Sequence, residues 1–244
     1  MKLDLLAIAA HPDDVELGCA GTLLAHAAQG QKVGVVDLTR GELGTRGTAE
    51  TRAAEAAAST ATLGLHAREN LALADGFFEN AKAEQLAIIR AIRKYQPEVV
   101  LANAFYDRHP DHGRAARLIA DSCFLAGLRK VETLGDNGQP QAAWRPKQVF
   151  HFIQDTYQEP TLVVDISQVI QTKIEAIKCF KTQFLVEGKD NEPQTYISST
   201  AFFESVLHRN RMFGKMIGVE YAEGFTTQKV IGIKNFKDLL MTVS

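Results

Sequence analysis

The chain has 244 residues and a formal net charge of −2. Hydrophobic residues make up 45% of it and charged residues 23%, the balance of an ordinary globular protein, which excludes a disordered chain, a collagen-like repeat and a coiled coil. A nearly neutral chain also lacks the basic field that attracts nucleic acid or an anionic membrane, so neither partner is expected.

Cysteine usage indicates the compartment. Cys19, Cys123 and Cys179 are widely spaced and form no CxxC pair, which predicts buried free thiols in a reducing compartment. The N-terminal apolar run carries Asp4 and lacks the parts of a signal peptide. No stretch reaches the roughly 18 apolar residues of a membrane span, and we expect a cytoplasmic protein.

Strand and helix patterns alternate along the first half of the chain. Short apolar runs predict strands, and longer amphipathic or alanine-rich stretches predict helices. In chain order the predicted elements are a strand at 3–10, a helix at 16–29, a strand at 32–39, a glycine-rich loop at 40–48, a helix at 49–63, a strand at 71–73, a helix at 81–95, a strand at 98–102 and a helix at 111–128. This alternation predicts an α/β fold, a Rossmann-like doubly wound and mostly parallel sheet with helices on both faces.

The second half is less regular. Its predicted elements are a surface loop at 132–145, strands at 148–154 and 161–166, a helix at 168–184 capped by Ser167, a polar loop at 187–194 and a helix at 199–218. The chain contains no internal repeat, low-complexity tract or long linker. We therefore expect a single domain over residues 1–244.

Two short segments concentrate residues that carry chemistry, H-P-D-D at 11–14 and H-P-D-H at 109–112. Each follows a predicted strand and precedes a predicted helix. Because the carboxyl ends of neighbouring parallel strands share a crevice in which ligands bind, the two segments can meet there. Imidazole nitrogens and carboxylate oxygens suit a divalent metal of the zinc class.

A catalytic zinc site needs three protein ligands and one open position. His11, Asp14 and His112 would supply two nitrogens and one oxygen. Zinc lowers the pKa of its bound water to about 7, so that a nearby carboxylate can remove a proton from that water near neutral pH. Iron(II) and cobalt accept the same donors, so the sequence does not select the metal.

Three further residues in these segments suit catalysis. Asp13 adjoins a ligand and is placed to be the base, and His109 could stabilise an oxyanion or protonate a leaving amine. Asp111 could orient one of the imidazoles by accepting a hydrogen bond. Helix capping is the structural alternative, because Asp13 with Glu16 fits a capping box and Asp111 fits an N-cap. Turn chemistry alone does not explain two His-Pro-Asp triplets, which favours the metal site.

The loop at 39–47 is rich in glycine but lacks the G-x-x-x-x-G-K-[ST] order, which disfavours a nucleotide-binding protein. Its Arg40 and Arg46, with Arg52 on the following helix, could contact an anionic or hydroxyl-rich substrate. Solvated surface is an equally good interpretation of Arg40 and Arg46.

With A-H-P-D-D-V-E at 10–16 and H-P-D-H at 109–112, the chain resembles the PIG-L/LmbE-like family of zinc-dependent N-deacetylases. The likeness extends over D-L-T-R-G-E-L-G-T-R-G-T at 37–48, and over R-x-M-F-G-K and Y-A-E-G-F within 211–225. The latter are similar to the bacillithiol-biosynthesis branch, which deacetylates N-acetylglucosaminyl-malate. The resemblance implies metal-dependent hydrolysis of the N-acetyl group, giving acetate and a free amino sugar.

The resemblance also implies roles for single residues and a state of assembly. It implies His11, Asp14 and His112 as ligands of one Zn²⁺ per chain, and Asp13 as the general base. His109 would stabilise the tetrahedral intermediate and would be held by Asp111. Arg52 and Asp75 would hold the sugar, and Tyr196 would close the pocket and donate to the oxyanion. Members of the branch are often hexamers built as trimers of dimers, so a homo-oligomer is expected.

Two alternatives stay open at this point. A hydrolase could act on another amide, such as a mycothiol-type conjugate or a chitooligosaccharide. A metal-storing or sugar-binding module could hold zinc without catalysis, although storage needs neither a base nor an open position.

Overall fold

Seven strands form one sheet at the centre of the molecule. The computed structural model describes residues 1–184 and 192–239. The strands are β1 (Leu5–Ala9), β2 (Val33–Thr39), β3 (Ala67–Leu73), β4 (Val99–Asn103), β5 (Gln148–Phe152), β6 (Leu162–Asp165) and β7 (Ala222–Thr226), in the order β3-β2-β1-β4-β5-β7-β6. Strands β1 to β5 pair in parallel, whereas β7 runs antiparallel to β5 and β6. The predicted doubly wound, mostly parallel sheet is confirmed.

Helices cover both faces of the sheet. They are α1 (Asp14–Gly18), α2 (Ala20–Ala27), α3 (Ala49–Leu63), α4 (Lys82–Tyr95), α5 (Pro110–Ala126), α6 (Ile170–Lys178) and α7 (Thr200–Ile217). Alternate side chains of β1 point to opposite faces, as the strand period of two requires. Leu6 and Ile8 belong to the core under α4 and α5, whereas Leu5 and Ala7 belong to the core under α1 and α2.

The helix predicted at 16–29 is two helices that meet at Cys19. The backbone of Cys19 leaves the helical region, with φ −148° and ψ 12°. The buried carboxylate of Glu223 accepts hydrogen bonds from the backbone N–H groups of Gly21 (2.9 Å) and Thr22 (2.6 Å). A carboxylate at this position stabilises the start of a new helix, because it satisfies free N–H groups and faces the positive end of the helix dipole.

The helix predicted at 168–184 is shorter than expected, and its predicted cap is wrong. Residues Ser167–Val169 form a 3₁₀ turn, and α6 then extends only to Lys178. The hydroxyl of Ser167 donates to Asp165 (2.7 Å) and does not cap the helix. Residues 179–184 form turns, and residues 187–191 of the polar loop predicted at 187–194 lie outside the described residues.

Two strands differ from the prediction because buried ion pairs allow charged residues into the sheet. Strand β3 begins at Ala67 rather than 71, since Arg68 donates to Asp37 (2.8 Å) and to Glu16 (2.6 Å). Strand β7 was not predicted, and its second residue, Glu223, is buried against Lys173 with a 2.5 Å contact.

The sheet order places β1 beside β4, where the direction of winding reverses. In open α/β sheets ligands bind at this switch point, outside the carboxyl ends of the strands. No helix in the described part of the chain is both long enough and apolar enough to cross a membrane.

Candidate metal centre and active site

The two histidine-aspartate segments meet at the switch point. Strand β1 ends at Ala9 and strand β4 ends at Asn103, and the segments 11–14 and 109–112 follow them. The ring of His11 lies 4.8 Å from that of His109 and 5.7 Å from that of His112, measured between ring centroids. Segments about 100 residues apart in sequence are therefore in contact, as predicted.

Asp13 occupies the N-cap position of α1 but does not cap it. Its backbone has φ 119° and ψ −24°, and its side chain makes no capping hydrogen bond. Glu16 accepts from Ser59 (2.6 Å) and Arg68 (2.6 Å), so the capping box is wrong. A non-glycine residue with positive φ is strained, and such strain is typical of functional sites. This backbone turns the Asp13 carboxylate away from the helix and toward Arg52.

His109, and not Asp111, caps α5. Its Nδ1 accepts a hydrogen bond from the backbone N–H of Asp111 at 3.2 Å. This bond assigns the proton of the neutral ring to Nε2, which can then donate. Burial, followed by the positive charge of His11 and His112, lowers the pKa of His109. His109 is therefore neutral near pH 7.

The Asp14 carboxylate, at the start of α1, lies close to both predicted imidazole ligands. The Asp14 carboxylate lies 3.5 Å from Nδ1 of His11 through Oδ2 and 3.1 Å from Nε2 of His112 through Oδ1. Ligands of a tetrahedral zinc ion, with bonds of about 2.0–2.1 Å, are roughly 3.3 Å apart. Asp14 is therefore close enough to each predicted imidazole to share a zinc-class ion with it. In the described residues, however, His11, Asp14 and His112 are not a group whose ligand atoms all lie within 4.8 Å of one another.

Two other groups of donors lie close by. Ligand atoms of His11, His109 and His112 fall within 4.8 Å of one another, as do those of His11, Asp75 and Asp111. In the second group both carboxylates contact Nε2 of His11, at 3.0 Å from Asp75 and 3.2 Å from Asp111. Those contacts leave Nδ1 of His11 for the donor set with Asp14.

Each imidazole of the predicted ligand set is held by a carboxylate through its other nitrogen. Asp75 and Asp111 hold His11, and Asp107 holds Nδ1 of His112 at 2.7 Å. Metal-binding histidines usually have such a partner, which sets the tautomer and the ring orientation. Asp111 thus orients His11 with its carboxylate, and holds the predicted His109 only through its backbone N–H.

These contacts also set the protonation of the histidines. Burial opposes the charged form of His112, but Asp14 and Asp107 raise its pKa to about 9. Burial likewise opposes the charged form of His11, and hydrogen bonds with Asp111, Asp14 and Asp75 raise its pKa well above the usual value. The site therefore stabilises positive charge at the position where a cation would bind.

Asp13 is buried and paired with one cation. Nη2 of Arg52 donates to Oδ2 of Asp13 at 3.0 Å and also to the carbonyl of Pro12. Burial raises the pKa of Asp13 to about 7, with Arg52 acting in the opposite direction. A carboxyl group with a pKa near the working pH is suited to general base catalysis. Arg52, predicted to hold a sugar, is engaged with this carboxylate.

A cavity of about 440 Å³ opens at this point. It is lined by every predicted site residue except Asp111, that is by His11, Asp13, Asp14, Arg52, Asp75, His109, His112 and Tyr196. The carboxylate of Asp75, predicted to hold the sugar, accepts from the backbone N–H of Leu43 (2.9 Å) and contacts His11. Both oxygens of the Asp75 carboxylate thus already contact protein groups.

Tyr196 lines the cavity together with Arg108 and Asp155, a grouping that the sequence did not predict. Its hydroxyl donates to Asp155 at 3.1 Å, and the guanidinium of Arg108 lies 4.4 Å from its ring centre. Nε of Arg108 donates to the same Asp155 at 2.7 Å. Asp155 thus joins the segment after β4 to residues 195–199.

The two loop arginines of uncertain role have different surroundings. Arg46 is buried, and it donates to the carbonyls of Thr182 (2.9 Å) and Pro193 (3.0 Å). Arg40 is exposed and lines a separate cavity between α3 and β3. Arg46 therefore anchors the loop, and neither arginine lines the cavity at the switch point.

Sequence reasoning missed Asn103, Asp107 and Gln154, which hold the predicted ligands. Each follows or ends a strand of the parallel sheet, at the edge where ligands bind. A search for every polar residue at the carboxyl ends of β4 and β5 would have found them.

The fold and the donor set define an α/β protein with a candidate divalent-metal centre at the switch point of its sheet. The family model described as "PIG-L: GlcNAc-PI de-N-acetylase" matches residues 6–123. The solved structure of the conserved protein TT1542 from Thermus thermophilus is 36% identical, with a TM-score of 0.83 over 95% of this chain and 98% of that one. The chain belongs to the PIG-L/LmbE-like family.

Two curated relatives are more distant. A diacetylchitobiose deacetylase from Thermococcus kodakarensis is 28% identical over 234 residues, covering 90% of this chain and 81% of its own length. A 1D-myo-inositol 2-acetamido-2-deoxy-α-D-glucopyranoside deacetylase from Actinosynnema mirum is 27% identical, covering 83% of this chain and 88% of its own.

Proposed function

We propose that the chain is a metal-dependent de-N-acetylase that hydrolyses the acetamide of an N-acetylglucosamine conjugate. The observation that carries this proposal is Asp13, a buried carboxyl group with a pKa of about 7, next to the Asp14 carboxylate that contacts both His11 and His112. The names of the family model and of both curated relatives, all of them deacetylases, support the same reaction.

The bound ion would be held by Nδ1 of His11, the Asp14 carboxylate and Nε2 of His112. When bound, a zinc-class ion polarises a carbonyl group and lowers the pKa of water. Zinc is the proposed metal, because two imidazoles and one carboxylate with one open position are typical of zinc hydrolases.

Asp13 would act as the base. Arg52 engages Oδ2 of Asp13, and Oδ1 makes no hydrogen bond to any described residue. Oδ1 would take a proton from the attacking water as the new C–O bond forms. The same group would return that proton to the sugar nitrogen as the C–N bond breaks, which releases acetate and the amino sugar.

His109 would stabilise the negative charge that develops on the acetamide oxygen. Its neutral ring, with Nδ1 occupied by the Asp111 N–H, carries a proton on Nε2 for donation. A well-placed donor of this kind contributes about 3–4 kcal/mol to the stability of a tetrahedral intermediate.

The finer proposal is that the natural substrate is N-acetylglucosaminyl-malate. Arg108 supports an anionic aglycone. Its Nε donates to Asp155, and its guanidinium lies 4.4 Å from the centre of the Tyr196 ring. Its two terminal amino groups make no hydrogen bond to a described residue, so they are available to a ligand. A guanidinium fixed in this way presents two parallel donors, which match a carboxylate. Neutral chitooligosaccharides and mycothiol-type conjugates are the alternatives.

Acetate release with and without a chelator tests both levels of the proposal. We expect chelator-sensitive release near one metal per chain, faster from N-acetylglucosaminyl-malate than from diacetylchitobiose. Arg108→Gln should lower kcat/KM for the malate conjugate by about tenfold, the value of a hydrogen bond to a charged group, and leave that for chitobiose nearly unchanged. Arg129→Gln, an exposed residue beyond the other end of α5, is the control.

The outcomes separate the two levels. Release from chitobiose alone would reject the malate substrate and keep the deacetylase. Metal without acetate from any N-acetyl sugar, or no metal at all, would reject the deacetylase.

The proposal extends to assembly and location. We propose a homo-oligomer, with a hexamer of three dimers as the form that the family resemblance favours. The three free cysteines support a reducing, cytoplasmic environment.

A further inference from the structure

The Asp14 carboxylate is held from both sides by two amide side chains. Nδ2 of Asn103 donates to its Oδ2 at 3.2 Å, and Nε2 of Gln154 donates to its Oδ1 at 2.8 Å. The backbone N–H of His11 also donates to Oδ2 at 3.0 Å. With donors on both oxygens, the carboxylate cannot rotate without breaking hydrogen bonds.

Asn103 joins this contact to the sheet. It ends β4 and is fully buried, and its Oδ1 accepts from the backbone N–H of Ala10 at 2.9 Å. Ala10 follows β1, so this bond pairs an N–H group just beyond the strand. Asn103 thereby ties the segment that carries His11 to the neighbouring strand across the switch point.

The side-chain amide of Gln154 is only partly paired by described residues. It is buried, at 6% exposure, and its Oε1 is buried without a hydrogen-bond partner in the described part of the chain. An unsatisfied buried acceptor is unfavourable, and an apolar side chain of the same size would avoid it. The bond from Nε2 to Asp14 is the one hydrogen bond that its side chain makes to a described residue. The side chain of Gln154 is therefore committed to the Asp14 carboxylate, whose orientation it fixes.

We propose that Asn103 and Gln154 are positioning residues that hold the Asp14 carboxylate in the orientation that binds the metal. The proposal rests on the metal site of the proposed function. Residues that orient a ligand in this way typically account for 10- to 100-fold in metal affinity. One amide ends β4 and the other lies two residues beyond β5, so neighbouring strands of the sheet position the ligand.

Gln154→Met tests the proposal, because methionine keeps the length and loses the donor. Gln183→Met is the matched control, since Gln183 is also buried in the cavity wall but donates to the Arg46 carbonyl (2.9 Å) and contacts no predicted ligand. Zn²⁺ affinity is measured by competition with a chromophoric chelator, Co²⁺ coordination by visible absorption, and the melting temperature on metal-free protein.

We expect Gln154→Met to weaken Zn²⁺ binding by 10- to 100-fold and to change the Co²⁺ spectrum. Its metal-free melting temperature should change little, because the unpaired acceptor and the hydrogen bond to the buried Asp14 carboxylate are lost together. Gln183→Met should lower the melting temperature and keep the metal affinity. Gln154→Leu serves as a second variant should the methionine variant not fold.

Wild-type affinity in both Gln154 variants would overturn the proposal, as would equal weakening in Gln183→Met. Either result would leave the deacetylase proposal intact. Metal binding that follows the expected series without acetate release would reject the deacetylase and keep the role of the amides. A wild-type chain that binds no metal would overturn both.

Discussion

Asp13→Asn is expected to lower kcat by about a thousandfold, within the range of general acid–base catalysis, and to leave the metal content unchanged. Asparagine is the right replacement because it accepts positive φ better than most residues, and Asp13 has φ 119°. It also keeps an oxygen for Arg52. Turnover and metal content of the same preparation are the measurements.

The pH profile gives this variant a second readout. Since the ionised carboxylate is the base, wild-type kcat/KM should fall as the pH drops through the pKa of Asp13, which burial raises to about 7. A bound cation would favour the ionised form and move this midpoint lower. The acid limb should vanish in Asp13→Asn. Near-normal turnover, or an unchanged acid limb, would show that Asp13 is not the base.

His112→Ala is expected to lose the metal and the activity together. Structural zinc sites bind with about 10–16 kcal/mol near neutral pH. If this binding free energy is divided equally among three protein ligands, the loss of one ligand costs about 3–5 kcal/mol, or roughly a hundredfold to several thousandfold in metal affinity. Metal per chain after gel filtration should fall from one to nearly zero.

His26→Gln is the control for this loss. His26 is half-buried in α2, where its Nδ1 contacts the carbonyl of Thr22 at 2.7 Å. It belongs to none of the groups of close donors among the described residues. It should keep a full complement of metal. A His112→Ala variant that retains stoichiometric metal would exclude His112 as a ligand. The two variants distinguish the base from the ligands, because Asp13→Asn should keep the metal and His112→Ala should lose it.

The sequence predicted the part of the molecule that local pattern determines. Strands β1, β2 and β4 are nearly continuous apolar runs, and α4 and α5 have clear apolar faces, so order and type of element followed. His11, Asp13, Asp14, His109 and His112 were predicted to share a crevice, because parallel strands bring their carboxyl ends together. The structure confirms that proximity.

Features that depend on distant partners were not predictable from local pattern. Glu223 lies in a strand because Lys173, 50 residues away, neutralises it. Aspartate is a common helix cap, so the residue types of Asp13 and Asp111 fit capping. Only the tertiary contacts show that Asp13 pairs with Arg52 and that Asp111 orients His11. Asp107 and Gln154 carry no motif, and their contacts with His112 and Asp14 appear only in three dimensions.

Locating the bound metal by anomalous X-ray scattering from zinc-loaded crystals tests the central claim most directly. We expect one site per chain, bonded at about 2.0–2.2 Å to Nδ1 of His11, the Asp14 carboxylate and Nε2 of His112. A metal held by His11, Asp75 and Asp111, or by the three histidines with Asp14 unbound, would contradict the ligand set and the roles derived from it.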